Sequence, residues 1–260
     1  MASDLALVLT QTRYQLTSIA RNRRAVVFVL VFPVLLLVMF NSIFISASDS
    51  VELAGVKVSA QAYFTGGMLA YAIMLSAFSQ LAIALVTQRQ AGQLKRLRGT
   101  PVPAWTFIVA TALRAVVMVG AMTVILLAIA RVAYGVETSI EALAELLLYV
   151  VLGTATMCSL GIAATAIVRD LDSASAALPL VVVVLALISG IFVSVDQLPG
   201  WLEEIARVFP VYHLVTGLQT ALGAGGPLEA GHLAVLAVWG LWGIVFSARR
   251  FRWEPQGAGA

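Results

Sequence analysis

Residues 189–216 read SGIFVSVDQLPGWLEEIARVFPVYHLVT. A long hydrophobic stretch here breaks into a short amphipathic segment carrying Pro199, Gly200, Trp201 and Pro210. Irregular backbone at membrane depth survives only where protein or a water-filled cavity satisfies its polar groups. The break is therefore an architectural feature, and the rest of the chain is read outward from it.

On either side the chain is almost continuously apolar. Of 260 residues, 61% are hydrophobic and only 11% are charged, with a mean hydropathy of +0.98. Soluble domains carry about 25% charged residues. The fold class is thus an all-α membrane protein, a single transmembrane domain over 1–260, and aqueous domains must come from another chain.

A helix needs about 20 mostly apolar residues to cross the hydrocarbon core. Six stretches qualify: Ala25–Ile45, Ala62–Val86, Ala104–Ala130, Leu143–Val168, Ala174–Val195 and His232–Ala248. The last is short, but Arg249-Arg250-Phe251-Arg252-Trp253 follows it as an interfacial anchor. The first is too long, and its preceding arm too organised, for a cleaved signal peptide.

Alternating sides from a cytoplasmic start gathers Arg13, Arg21, Arg23 and Arg24, then Arg89, Lys95, Arg96 and Arg98, then Arg169, then Arg249, Arg250 and Arg252 on one side. The other side holds only Lys57, Arg131 and Arg207, with most of the carboxylates. Positive charge marks the cytoplasmic face. Both termini are expected inside, in a multi-pass protein of the cell membrane.

Before the first span, Leu5, Val8, Leu9, Thr12, Leu16, Ile19 and Ala20 fall at helical spacing, with Ser3 and Asp4 placed to cap the start. Arg13, Thr17 and Arg21 face elsewhere. The pattern over 4–21 fits a helix lying in the membrane interface, apolar face in lipid, or a soluble helix on a partner.

Between the second and third spans, Thr87–Trp105 reads TQRQAGQLKRLRGTPVPAW. Residues 88–98 can form a short helix with Leu94 and Leu97 on one side and Arg89, Lys95, Arg96 and Arg98 elsewhere. Pro101 and Pro103 stop it. Alone, this is a basic juxtamembrane loop that headgroup binding explains.

Together the loop and the opening stretch resemble the ABC-type-2 permease family, the membrane subunits of exporters that include daunorubicin-resistance and lipid or polysaccharide transporters. In that family the loop after the second span reads roughly Glu-Arg-Glu-x-Gly-Thr-Leu, then basic residues and Thr-Pro. Arg89, Gly92, Leu94, Lys95, Arg96, Leu97, Thr100 and Pro101 match it, while Gln88 and Gln90 stand at its acidic positions and Gln93 at its Thr. The family's signature between spans five and six is Ser-Gly-hydrophobic-Phe, Leu-Pro-x-Trp-Leu and an apolar helix ending in Asn-Pro. Ser189, Gly190, Phe192, Leu198, Pro199, Trp201, Leu202 and Pro210 fit; Phe209 replaces the Asn, and Gln219 stands where the family has a later Arg.

The resemblance implies a division of labour. Residues 88–98 would be the coupling segment toward a separate ABC ATPase, which would bind ATP and Mg. Residues 196–213 would form short external re-entrant helices that gate the exit. A second permease, identical or a sister chain, would complete the transporter, with membrane lipids around it and a hydrophobic or amphiphilic small molecule, drug or lipid-like, as cargo. Nucleic acid is not an expected partner. A glycan or lipid-linked polymer exporter, or a non-transport assembly factor, are the rival readings.

The residues themselves add exclusions. There is no Gly-x-x-x-x-Gly-Lys-Ser/Thr sequence, so nucleotide hydrolysis is expected on another polypeptide. No catalytic constellation stands out, and Glu203-Glu204 fit solvated charges on an external amphipathic helix. No Cys/His cluster has metal spacing; Cys158 lies in an apolar run, and His213 and His232 stand alone. In the second span Thr65, Ser76, Ser79 and Gln80 lie close to one helical face. That face meets a partner permease or the translocation cavity, or serves helix–helix hydrogen bonding. Ala155, Ser159 and Ala163 suggest close packing of the fourth span. Arg114, about ten residues into the third span, either snorkels to the interface or pairs within the bundle.

Overall fold

The computed structural model describes residues 4–21, 23–44, 50–53, 56–93, 103–168, 170–223 and 229–250. It is helical apart from one β-hairpin. Helix α1 (Asp4–Arg21) precedes α2 (Arg23–Phe44), and strands β1 (Ser50–Leu53) and β2 (Val56–Ser59) follow. Then come α3 (Ala60–Gln90), α4 (Ala104–Tyr134), α5 (Ile140–Ala164), α6 (Leu171–Ile188), α7 (Gly200–Val208), α8 (Pro210–Gly223) and α9 (Ala230–Arg250).

Helices α3, α4, α5, α6 and α9 are long and apolar enough to cross a membrane, while α2 carries a shorter apolar stretch, Leu30–Ile43. The burial of their most apolar windows sorts them: 78% for α3, but 22% for α6 and 17% for α9. Helix α3 is therefore the hub, ringed by α2, α4, α5 and α8. Helices α6 and α9 turn most of their surface outward.

The hub is irregular at its middle. Met74–Gln80 is a π-helical segment of seven residues, a wide-turned interruption that tends to mark functional positions. Helix α5 approaches it closely because Gly161 has no side chain: a Cβ there would lie 2.8 Å from the Phe78 carbonyl oxygen. Ser59 caps the start of α3, its hydroxyl accepting from the Ala62 amide at 3.3 Å. The preceding β1–β2 pair is antiparallel with Ser50 opposite Ser59 and Leu53 opposite Val56; it was not foreseen in a sequence read for helices.

Helix α1 packs on α4. Val8, Thr12 and Gln15 are buried, and Gln15 Nε2 donates to Thr111 Oγ1 at 3.1 Å. Leu5 and Leu9, assigned to the same apolar face as Val8 and Thr12, point outward instead. The buried stripe is thus rotated toward the polar residues, because Thr and Gln find partners on α4.

The fifth span needs correction. A helix over 174–195 was expected; α6 ends at Ile188, and residues 189–194 turn with Gly190 at φ +85°, a left-handed conformation suited to glycine. The segment expected over 196–213 also extends further. A 3-10 turn at Val195–Gln197 leads to α7, and α8 continues ten residues beyond the expected limit.

Helices α7 and α8 form a corner sunk into the bundle. Helix α5 starts at Ile140 and α3 at Ala60, both at the β-hairpin end. Along α8, Leu214 meets Gly153, Gly217 meets Tyr149, Gln219 meets Gly66 and Gly223 meets Val58. Each contact lies nearer the β-hairpin end than the last, so α8 climbs outward from Pro210. At 1.5 Å per residue, Gly153 is about 20 Å from the start of α5. Phe209, Pro210 and Val211 line one cavity with Met74 and Met157; Met74 is near the midpoint of α3. The corner reaches about half the depth of the bundle.

Candidate functional site

Two places gather the residues that the sequence singles out. They lie toward opposite ends of the hub helix α3.

The first is the turn that ends α6. Gly190 offers its carbonyl to two buried donors: the Tyr63 hydroxyl of α3 at 2.5 Å and Gln219 Nε2 of α8 at 3.0 Å. Gln219 also donates to the Tyr63 carbonyl at 3.3 Å. Three elements thus meet at one polar knot, with both side chains about 1–2% exposed. Close approach is possible because α3 carries two glycines here. A Cβ on Gly66 would lie 2.8 Å from the Gln219 backbone, and one on Gly67 would lie 3.0 Å from the Ile191 carbonyl oxygen. Neither Tyr63 nor the Gly66-Gly67 pair was singled out from sequence, although two adjacent glycines inside an apolar run are a signal of close backbone contact.

The signature residues distribute around this knot. Ser189 is fully buried, and its hydroxyl has no hydrogen-bond partner among the described residues. Phe192 packs between Phe40 and Tyr71, with ring centroids 5.5 and 6.2 Å away. Leu198 is half-buried and Pro199 exposed, where Pro199 provides the non-helical residue before α7. Trp201 is 65% exposed and, with Ile205 and Val208, forms an outward apolar face on α7. On another side of that helix Arg207 pairs with Glu203. Pro210 is buried at the first position of α8, where its missing N–H costs nothing.

The two histidines do not stand alone. His213 of α8 and His232 of α9 bring their rings within 4.9 Å, and Tyr212 lies beside both. His232 Nε2 sits 2.7 Å from a Glu229 carboxylate oxygen, and His213 Nε2 sits 2.8 Å from the Arg207 carbonyl oxygen. Nineteen residues of sequence separate them, so only the antiparallel return of α9 reveals the pair. Among the described residues no group of three or more ligating side chains could hold a metal.

The second place is the opposite end of α3. Arg89 is 2% exposed, unlike the solvated juxtamembrane cation its sequence suggests. Its guanidinium donates from Nη1 to the Thr165 carbonyl at 2.8 Å and from Nη2 to the Val168 carbonyl at 2.7 Å. Thr165 is the C-cap of α5, where the last helix carbonyls lack intrahelical partners and carry partial negative charge. A buried cation is stable there because those carbonyls receive it. The connection that follows is itself organised: Asp170 caps α6, accepting from the Ser173 amide at 2.8 Å. That amide, helped by the Ser173 hydroxyl, holds the Asp170 carboxyl below its ordinary value.

Gly92 ends α3 in the left-handed conformation at φ +68°, with its amide donating to the Arg89 carbonyl at 3.1 Å. Leu94, Arg96, Leu97, Thr100 and Pro101 lie outside the described residues.

Thr65 and Ser79 are fully buried, Ser76 nearly so, and Gln80 half-buried. An orientation of this face toward a second copy does not hold for Thr65 and Ser79, since α3 is surrounded by its own chain. Thr65 back-bonds to the Gln61 carbonyl at 2.6 Å. Cys158 is buried, and Ser159 packs under Gly243 of α9, the close approach that the small residues of α5 suggest. Arg114 is half-buried on α4.

Residues 6–222 match the family model described as ABC-2 type transporter. No curated protein matches the chain.

Proposed function

Because the chain belongs to the ABC-2 type transporter family, we propose that it is the permease subunit of an ATP-driven exporter that moves a hydrophobic or amphiphilic small molecule out of the cytoplasm or inner leaflet. Nucleotide and Mg bind on a separate ABC ATPase, which docks on residues 88–98. Helix α2 acts as the first of six spans. The excess of basic residues at the Arg89 end makes that end cytoplasmic, and a second permease completes the pathway.

One observation carries the coupling part of this reading. Arg89, at the base of the docking segment, is bonded to the carbonyls that close α5 and lead into α6. A push on the docking segment is thereby delivered to α5 and α6 together. Helix α6 in turn leads into the turn at Gly190, whose carbonyl is held by Tyr63 and Gln219. The same helix links the docked end to the re-entrant corner, which serves as the external gate. ATP binding then biases a two-state element rather than acting at a distance.

The cargo class rests on the absence of carboxylates near the middle of the expected spans, which an ion path would need. The test is co-purification of the chain with its ATPase, followed by a screen for amphiphiles that stimulate ATP hydrolysis. Stimulation by such a compound, with ATP-dependent movement in vesicles, is the expected result. An isolated chain with no ATPase partner would contradict it.

A further inference from the structure

The α7–α8 corner stops at half depth, and below it α6 and α9 stand apart. The resulting slot has a volume of about 390 Å³. Its roof is Phe209, Pro210 and Val211; its back wall runs from Met157 on α5 to Val168 in the turn after that helix; its sides are α6 and α9. The π-helical part of α3 contributes Met74 and Phe78. At 1.5 Å per residue, α9 runs about 16 Å from Trp239 beside the roof to Arg250, which matches one leaflet's share of a hydrocarbon core about 30 Å thick.

The α9 side has a chemical gradient. Trp239 is tied to the corner by its indole N–H, which donates to the Val208 carbonyl at 3.0 Å, and its ring stacks on Phe209. Trp242 and Phe246 continue the stripe, with centroids 5.6 and 5.2 Å apart in succession. The next positions on that face, three and four residues after Phe246, are Arg249 and Arg250. Both are exposed. An apolar slot of single-leaflet length therefore ends at two cations.

We propose that the slot holds one acyl chain of an anionic phospholipid from the leaflet at the Arg89 end, its phosphate meeting Arg249 and Arg250. A lone acyl chain is the occupant whose length, apolarity and headgroup charge fit the roof, walls and rim together. The lipid fills the space beneath the corner and supports Phe209 and Pro210 from below, at the level where the π segment interrupts α3. This site goes beyond the transport reading and holds whatever the cargo is.

Native mass spectrometry of the full-length chain tests it, with phosphatidylglycerol or phosphatidylcholine of identical chains titrated into the detergent solution. Two rim arginines should favour phosphatidylglycerol by about tenfold or more. Ala177→Trp fills the slot from its exposed α6 side and should weaken binding of both lipids by about tenfold, with the melting temperature and elution volume kept. Arg249→Gln with Arg250→Gln should equalise the two lipids while the chain still binds. Should Ala177→Trp not fold, Val181→Trp makes the same test from the next turn. Equal wild-type affinities would overturn the proposal, as would filled-slot variants that bind lipid normally. So would a wild-type dimer that excludes lipid and that Ala177→Trp disrupts, since a second copy would then be the occupant.

Discussion

Gln219 and Gly190 are joined by a buried hydrogen bond of 3.0 Å from the side-chain amide to the backbone carbonyl, which fastens helix α8 to the turn that ends α6. The same carbonyl also accepts from Tyr63. Removing one donor leaves a buried acceptor with a single partner and also strips the Tyr63 carbonyl of its Gln219 contact. Gln219→Leu should lower stability by about 1–3 kcal/mol. Thermal unfolding of the purified chain checks this, and an unchanged melting temperature would show that the knot carries no weight.

Gly217 of α8 packs closely on α5: a Cβ there would lie 2.3 Å from the Tyr149 ring. Gly217→Ala must displace a fully buried aromatic and should cost about 1–3 kcal/mol. Gly120 lies in the middle of α4, where an added Cβ meets nothing within 4 Å among the described residues. Gly120→Ala should be neutral or raise stability by about 0.5–1 kcal/mol, because alanine loses less backbone entropy in a helix. The opposite signs of these two Gly-to-Ala changes are the measurement.

Arg89 links the proposed docking segment to the end of α5. Arg89→Leu removes two charge-assisted hydrogen bonds, each worth about 1.5–3 kcal/mol, and leaves the Thr165 and Val168 carbonyls buried without that donor. The variant should insert and assemble at reduced thermal stability, and transport per ATP hydrolysed should fall. Arg89→Lys can serve one carbonyl but not both with the same geometry, so it should restore stability more than coupling. Transport per ATP is the readout that a purely structural role would leave unchanged in folded protein.

The Asp170 cap gives a pH-dependent difference. Its carboxyl titrates below its ordinary value because the Ser173 amide favours the charged form, so the cap stabilises the fold above the unfolded-state value. That contribution disappears as pH falls through the lowered folded value. Wild type should therefore melt above Asp170→Ala at neutral pH, and the gap should close on acidification below the carboxylate range. A gap independent of pH would mean that the carboxylate is not the capping species.

Five of the six expected spans overlap helices long and apolar enough to cross a membrane, and the first overlaps the shorter apolar stretch Leu30–Ile43; such long apolar runs are legible in sequence, and Ala104 begins both the expected third span and α4. The fifth span was overread because Ile191, Phe192, Val193 and Val195 continue its hydrophobicity. What stops the helix is Gly190 and the donors waiting for its carbonyl, a tertiary cause that no window of composition contains. Helix α8 was cut short for the same reason. His213 looks like a break in an apolar run, but it is met by His232 from α9. Arg89 matched a motif, yet its burial depends on the exposed carbonyls at the end of α5, seventy-six residues away in the chain. Sequence located the segments; the partners of their polar groups came from packing.

In the proposed function this permease converts ATP hydrolysis on a partner chain into movement of an amphiphile. The most direct measurement reconstitutes the purified permease–ATPase complex in inverted vesicles and follows uptake of a stimulating amphiphile with and without ATP. ATP-dependent uptake that Arg89→Leu reduces at equal complex content is the expected result. Uptake that needs no ATP, or that proceeds undiminished in that variant, would contradict it.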